Sequence, residues 1–242
     1  MTESSYNFPV IGIMHSCYKA KFGVPRQPGL ISGANGFIEL VPPYNQPNTL
    51  RGLEDFSHIW VLFVFHHNLR EGWKATVRPP RLGGDKRIGV FASRSPFRPS
   101  PVGLSVLEMT GIEQKEHGIL RIHVRGQDIV DGTPIVDIKP YIPYTDSLPQ
   151  AKGGFASTAP NAEAINVMVS TEAENDFAFI ESHGHSGFRK LATDVIAADP
   201  RPAYQREPGR IYGVFLEDFE VVWKIDGPNA VITEVKKAEP LS

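Results

Sequence analysis

Over the first 143 positions the apolar residues fall into short runs separated by proline- and glycine-containing breaks, a spacing that predicts strands rather than helices. Six runs stand out: Phe8–His15 (FPVIGIMH), Gly36–Val41, Ile59–Phe65 (IWVLFVF), Ile88–Ala92, Val102–Met109 and Ile119–Gly126. IWVLFVF is apolar throughout, which predicts packing on both faces, as in a barrel wall or sheet centre. The stretch after the sixth run, DIVDGTPIVDIKPYIPY, reads as a loop. Short strands with irregular connections and no good helix predict a mainly β body, a barrel or sandwich.

The pattern changes after Pro143. Pro143–Glu163 is small, proline- and glycine-containing, and reads as a linker or long surface loop. This divides the chain into a β domain over 1–145, a connection over 146–163 and a small α+β domain over 164–242. In the last part, AINVMVS alternates like a strand. Thr171 is placed to cap a helix over STEAENDFAFIES, with Glu172 and Glu174 in its first turn. A second helix, about Gly187 to Ala198, stops at DPRPAY, where Pro200 and Pro202 fix a turn. His183 and His185, in SHGHSG, read as a polar turn between the helices. IYGVFLEDFEVVWKID supplies one or two strands, and Gly227-Pro228-Asn229 turns the chain into VITEV.

Composition narrows the class. At 242 residues, 41 % hydrophobic and 21 % charged, the chain resembles ordinary globular proteins. No run approaches the length of a membrane span, and the first residues lack the basic and apolar regions of a secretory leader. The single cysteine, Cys17, excludes an internal disulfide; it reads as a small strand residue of a cytoplasmic protein. The net charge of −2 conceals an asymmetry: residues 1–143 carry 16 basic and 12 acidic side chains, and residues 144–242 carry 9 and 15. A local positive region on a mildly acidic protein suits one polyanionic partner better than indiscriminate coating of nucleic acid.

That positive region is Arg70–Ser100. Arg70, Lys74, Arg78, Arg81, Lys86, Arg87, Arg94 and Arg98 stand there against Glu71 and Asp85 only. Pro79, Pro80, Pro96, Pro99 and Gly83-Gly84 exclude a regular helix, leaving a braced basic loop system suited to an anion or a phosphate backbone. Arg94 and Arg98 have planar forks matching carboxylate, phosphate or a base edge. Elsewhere, Pro25 and Pro28 hold Arg26 and Gln27 in a stiff loop. His66 and His67 end the most apolar strand, at a sheet rim. Asp128 and Asp131 offer two carboxylates, but with no histidine or cysteine nearby a metal site has little support.

Several chemistries are missing. No GxGxxG opens a helix after a strand, and neither GxxxxGK[ST], GxSxG nor HExxH occurs. A β-rich ligand-binding body with a basic rim follows, and an enzyme and an RNA-binding module both remain compatible with it.

PRQPG at 25–29, PYNQ at 43–46, RGLEDFSHIWVLFVFH at 51–66, RPPRLGG at 78–84, GVFASRSPFRPSPVG at 89–103, VDGTPIVDIKPYIPY at 130–144 and DPRPAY at 199–204 resemble the bacterial TrmO/TsaA (YaeB) family. The resemblance runs from about residue 6 to residue 235. One departure is Ser100, where the family usually has asparagine; a hydroxyl is shorter and cannot offer both amide polarities.

The resemblance implies an S-adenosylmethionine-dependent tRNA adenine-37 N6-methyltransferase whose cofactor domain is a β-barrel rather than a Rossmann fold, in agreement with the missing glycine fingerprint. It implies a homodimer with the cofactor bound near the interface. By matching motif, Pro25, Arg26, Gln27, His66 and His67 surround the methionine–sulfonium end, and Arg94, Leu104, Asp128, Ile129, Val130 and Asp131 complete the pocket. DPRPAY makes Asp199, Arg201 and Tyr204 candidates for positioning the target nucleotide, an adenosine 37 of the anticodon stem-loop already bearing N6-threonylcarbamoyl. Arg70, Lys74, Arg78, Arg81, Lys86 and Arg87 are then candidates for tRNA phosphate contacts. No general base is assigned, and Arg98 has no assigned partner. The competing readings are a non-catalytic RNA-binding or adaptor protein and a methyltransferase acting on a small non-RNA acceptor.

Overall fold

The computed structural model describes residues 6–158, 165–201 and 209–239, with the backbone alone at Arg81. The strands β1 (Gly12–Ser16), β2 (Asn35–Leu40) and β3 (His58–Val64) are followed by a detour through β4 (Thr76–Val77) and β5 (Ile88–Gly89). Then come β6 (Val102–Gln114), β7 (Leu120–Arg125) and β8 (Thr133–Pro140). A closed antiparallel barrel is formed in the order β1-β2-β7-β6-β3-β8, with β8 pairing back to β1. Closure leaves this sheet no unpaired edge.

Six barrel strands are found, but one member differs from the sequence expectation. Ile88–Ala92 is not a barrel strand: only Ile88–Gly89 is extended, pairing with Thr76–Val77, and Val90–Ala92 turns as a 3-10 helix. Its place is taken by Thr133–Pro140, inside the stretch read as a loop. Pro134 faces Ile13 in β1's short pairing with β8 and lies beyond the β3–β8 pairing, at the start of the strand, where an absent N–H is tolerated. The first strand begins at Gly12 rather than Phe8, and β6 runs on to Gln114.

β3 also departs from expectation. Ile59, Val61 and Phe63 are buried in the barrel, while Trp60, Leu62 and Val64 are only half-buried on its outside. This is the period of two of a strand with one core face. The outer face at Trp60 is covered locally by the segment after β8, including α1 (Pro143–Asp146): the indole N–H donates to Asp146 Oδ2 at 2.9 Å, and Tyr141 packs 5.8 Å away.

The second unit consists of β9 (Asn166–Val169), α2 (Thr171–Ser182), α3 (Phe188–Ala197), β10 (Ile211–Leu216), β11 (Phe219–Asp226) and β12 (Asn229–Lys237). Its sheet has the order β10-β11-β12-β9, with β9 parallel to β12. Ser170, not Thr171, caps α2, accepting from the Ala173 N–H at 3.2 Å. Glu172 and Glu174 occupy the first turn, as the helix dipole favours. His183 and His185 lie between the helices, and His185 Nδ1 is 2.7 Å from Glu217 Oε2.

The core of this unit reaches across the sequence-based boundary at residue 145. Phe177, Phe188, Val195, Val214 and Trp223 share one buried cluster with Cys17, Tyr18, Ile31 and Ala34 from the N-terminal part. The chain leaving β1 adds to the edge of β10: the Lys19 N–H donates to Phe215 O at 3.2 Å and the Glu217 N–H to Cys17 O at 2.7 Å. Cys17 lies just past β1, and burial pushes its thiol up to about 12, so it is an inert packing group rather than a nucleophile.

Candidate active site

Four chain segments meet at one rim of the barrel and enclose a cleft of about 520 Å³. That volume is within the usual range of small-molecule sites. The segments are the Pro25–Gln27 loop, the end of β3 with the following His66–Glu71 3-10 helix, the turn at Ser93–Arg98 with the start of β6, and the loop before β8. Ten of the eleven residues named from the motifs line it: Pro25, Arg26, Gln27, His66, His67, Arg94, Leu104, Asp128, Ile129 and Val130.

Asp131 is the exception. Its Oδ1 accepts the Ser16 N–H at 2.7 Å and its Oδ2 pairs with Lys19 at 3.0 Å, so this carboxylate faces the junction with the second unit. The adjacent Gln127 explains how two nearby aspartates diverge. It is fully buried, donates to Ser16 Oγ at 2.7 Å and accepts the Ile129 N–H at 2.8 Å. The amide thereby fixes the loop over 127–129. Gly126 has φ 69, and a Cβ there would lie 3.4 Å from Gly29 Cα, beside the Gly29 N–H to Gly126 O bond of 2.7 Å. Glycine at both positions lets the Pro25–Gly29 loop rest directly on the loop that carries Asp128.

Asp128 is the one carboxylate among the described cleft-lining residues. The Ser105 hydroxyl donates to its Oδ1 at 2.7 Å. Burial pushes Asp128 up to about 6; the Ser105 hydrogen bond, its own backbone N–H and the Arg94 charge oppose that rise. Arg94 reaches across to Gln27, donating to Oε1 at 2.8 Å. His66 and His67 have ring centroids 3.9 Å apart, and the Lys21 ammonium donates to His67 O at 3.2 Å. Burial, then the neighbouring His67, holds His66 below the ordinary imidazole value.

Arg98 lines the cleft but has a bracing task. It donates to Ser93 O at 2.6 Å and Val90 O at 3.3 Å, tying the turn that presents Arg94. Ser100 follows this turn, and its carbonyl accepts the Val102 N–H at 2.7 Å; a backbone contact of that kind does not depend on the Ser-for-Asn change. Sequence reasoning missed Ser105, Phe63, Phe65 and Lys21 as lining groups. Only Ser105 carries a local signal, a hydroxyl on the core-facing register between Gly103 and Leu107.

The other described cations of the basic stretch do not line the cleft. Arg70, Lys74, Arg78, Lys86 and Arg87 are exposed on the β4–β5 excursion and its approaches, and Arg81 is in the 3-10 turn over Pro80–Leu82. Arg70, Arg78 and Lys86 have no side-chain partner among the described residues, whereas Lys74 lies 3.9 Å from the Phe97 ring centroid and Arg87 donates to Thr76 at 3.4 Å. In DPRPAY, Arg201 clasps Asp199 with two bonds of 2.6 and 2.9 Å, which raises the arginine further. Asp199 has φ 47, a left-handed turn that this clasp stabilises. Tyr204 lies outside the described residues. Among the described residues no group of three metal-ligating side chains forms.

A closed barrel with a mixed apolar and charged cleft at its rim, joined to a helix-covered sheet, defines a ligand-binding barrel protein of non-Rossmann type. Residues 13–147 match the model of the tRNA-methyltransferase O N-terminal domain, and residues 162–238 match that of the TrmO C-terminal domain. The chain belongs to the TrmO family. It is 47 % identical over 224 residues to the tRNA (adenine(37)-N6)-methyltransferase of Escherichia coli strain K12, covering 92 % of this chain and 94 % of that one. A "Probable S-adenosyl-L-methionine-binding protein" of Pyrococcus abyssi is 40 % identical over 136 residues, 56 % of this chain and 68 % of its own. The crystal structure of TrmO from Pseudomonas aeruginosa superposes with a TM-score of 0.78 at 35 % identity, covering 96 % of this chain and 99 % of that one.

Proposed function

We propose that this chain transfers a methyl group from S-adenosylmethionine to N6 of adenosine 37 in tRNA, on a base that already carries N6-threonylcarbamoyl. The observation that carries this reading is the convergence of ten motif residues on one cleft beside an exposed basic excursion, in a chain whose E. coli relative is named for adenine-37 N6 methylation. The cleft suits the donor. Phe63, Phe65 and Val130 give apolar surface for a flat base, while Asp128 and the cations Lys21, Arg26 and Arg94 match a molecule bearing both charges.

S-adenosylmethionine supplies a methyl on a sulfonium, a good leaving group. The residues of this chain then have to bind, align and exclude water. Gln27 and Arg94 hold two walls of the cleft at a fixed separation, and Arg98 stiffens the turn carrying Arg94. Alignment matters because the acceptor is weak: its nitrogen lone pair is shared with both the purine ring and the carbamoyl carbonyl. Arg70, Lys74, Arg78, Arg81, Lys86 and Arg87 supply phosphate contacts to the anticodon stem-loop. Asp199 and Arg201 shape the turn that leads to Tyr204 and the target nucleotide. Half-exposed Leu104 and exposed Phe91, at 78 % accessibility, leave apolar surface beside the cleft for a second copy in a homodimer. A cytoplasmic location follows from a tRNA substrate.

Methyl incorporation from labelled S-adenosylmethionine into three acceptors tests this reading. Threonylcarbamoylated tRNA is expected to be labelled at position 37, and unmodified tRNA and RNA-free extract are not. Equal labelling of unmodified tRNA would remove the carbamoylated substrate, and labelling of the RNA-free sample alone would favour a small acceptor.

A further inference from the structure

We propose that Asp128 is the proton acceptor of the methyl transfer and that Ser105 orients its carboxylate for that task. This rests on the substrate reading above, since the proton concerned is the N6–H of an acylated adenine. Loss of that proton frees the lone pair that the carbamoyl group withdraws, so a base at this point lowers the barrier most.

The geometry singles out Asp128. Seven ionisable side chains line the cleft: Lys21, Arg26, His66, His67, Arg94, Arg98 and Asp128. A lysine ammonium and an arginine guanidinium present N–H donors and no acceptor. Arg98 is spent on two carbonyls, and Lys21 on His67 O. The two histidine rings lie against each other in the turn after β3, tilted by 38° with centroids 3.9 Å apart, and bring no negative charge. Asp128 alone brings an anion, and its position is set on two sides: the Ser105 hydroxyl from β6 holds Oδ1, and buried Gln127 fixes the backbone that follows. Arg94, from the Ser93–Arg98 turn, acts on Asp128 through space while its hydrogen bond goes to Gln27. Burial brings the carboxyl to about 6, which matches a base working near neutrality better than an ordinary aspartate does.

The step balances. The N6–H bond breaks and its proton passes to Asp128. The N6–carbon bond forms as the methyl–sulfur bond breaks, with that electron pair remaining on sulfur. S-adenosylhomocysteine leaves as a neutral thioether, and Asp128 returns the proton to solvent. No oxidant, reductant or further reactant is needed.

The test uses the full chain with threonylcarbamoylated tRNA. For Asp128→Asn, which keeps size and hydrogen bonding, kcat is expected to fall by about 10²–10⁴-fold, a loss well beyond any accompanying change in S-adenosylmethionine affinity measured by calorimetry. A fall in activity matched by an equal fall in cofactor affinity would overturn the proposal and leave Asp128 a cofactor ligand. For Ser105→Ala, removing a donor that stabilises the carboxylate raises its pKa. The acidic limb of the kcat–pH profile is expected to move to higher pH, together with the Asp128 carboxyl carbon resonance titrated without substrates. A limb that stays fixed while the resonance moves would overturn the assignment in favour of a histidine. His66→Gln and His67→Gln are expected to leave the limb in place. Full activity of Asp128→Asn against an active wild type sinks this inference alone, whereas a wild type inactive on the modified tRNA sinks the substrate reading and this inference together.

Discussion

Arg94 Nη1 donates to Gln27 Oε1 at 2.8 Å, joining the basic excursion to a loop 67 residues earlier in the chain. The bond spans the cleft, so it sets the distance between two walls that no secondary structure connects. Because the pair is exposed, its own contribution is modest. The expected outcome is coupling: Arg94→Ala and Gln27→Ala each weaken S-adenosylmethionine binding, and the double variant is less impaired than the product of the two. A coupling of about 1 kcal/mol, roughly fivefold in affinity, is expected from a charge-assisted bond of this kind. Calorimetric titration of the four proteins measures it, and strictly additive effects would show that the bond has no part in shaping the site.

Asp131 should behave as a structural residue despite its place in the same motif. Its carboxylate serves the Ser16 N–H and Lys19 at the junction of the two units. Asp131→Ala leaves a donor on a 5 %-exposed residue without its partner, which costs about 2 kcal/mol, or roughly 4–8 °C in melting temperature for a chain of this size. Thermal unfolding should register that loss while cofactor affinity of the folded protein holds. A large loss of affinity at unchanged stability would return Asp131 to the cofactor site.

The contrast between Asp128 and Asp131 shows where sequence stops being informative. Both are aspartates at neighbouring turn positions in DIVDG, and only a buried glutamine bonded to a distant serine decides which one faces the cleft. A strand with one core face is legible where the sequence itself alternates, as in β7, but not in β3, whose outward positions are apolar too and hide its single core face. Thr133–Pro140 was not legible, because its prolines and aspartate carry loop character locally and its pairing with β1 and β3 is long-range. Likewise Cys17 read as a small strand residue of the first domain, although its burial, and that of Tyr18, depends on β10, some 200 residues further along. Ten cleft residues were reachable through the resemblance of short proline- and glycine-braced motifs to a known family. Ser105 had only its register to announce it.

Gly103 lies opposite Phe63 in the β3–β6 ladder, and a Cβ there would sit 2.3 Å from the Phe63 ring. The ring is buried and edge-on to Phe65 at 5.2 Å, and the space open to it is the cleft. Gly103→Ala is therefore expected to push the ring into the cleft, costing about 1–3 kcal/mol of stability and weakening cofactor binding. Adding Phe63→Leu should recover much of both. Denaturant unfolding and calorimetry on the single and double variants give the readout, and a harmless Gly103→Ala would show that the ring has another place to go.

The basic excursion should act through phosphate charge. Arg70, Arg78 and Lys86 are exposed and have no side-chain partner among the described residues, so their charges are available to RNA. Each contact removed by substitution with alanine should lower the slope of log affinity against log salt by about 0.7–0.9. Cofactor affinity should not change, because none of the three lines the cleft. Binding of tRNA measured between low and moderate salt separates this from a structural defect, which would weaken binding without altering the slope.

Asp128 should also cost the protein stability at neutral pH. Its folded value, about 6, lies above the 3.8 of an unperturbed aspartate, so between those values the folded state holds more protons than the unfolded one. Stability then falls as pH rises through this window, and the penalty is complete above it. The sign is opposite to that of a salt-bridged aspartate, which stabilises above its unfolded pKa and loses that contribution in acid. Two pH units correspond to at most about 3 kcal/mol. Asp128→Asn abolishes the ionisation and should raise the melting temperature at pH 8 while changing it little at pH 4. A buried carboxylate kept at such a cost is the trade expected where activity requires the charge. If Asp128→Asn is instead destabilising at pH 8, the carboxylate is repaid by its surroundings and the site stores no such strain.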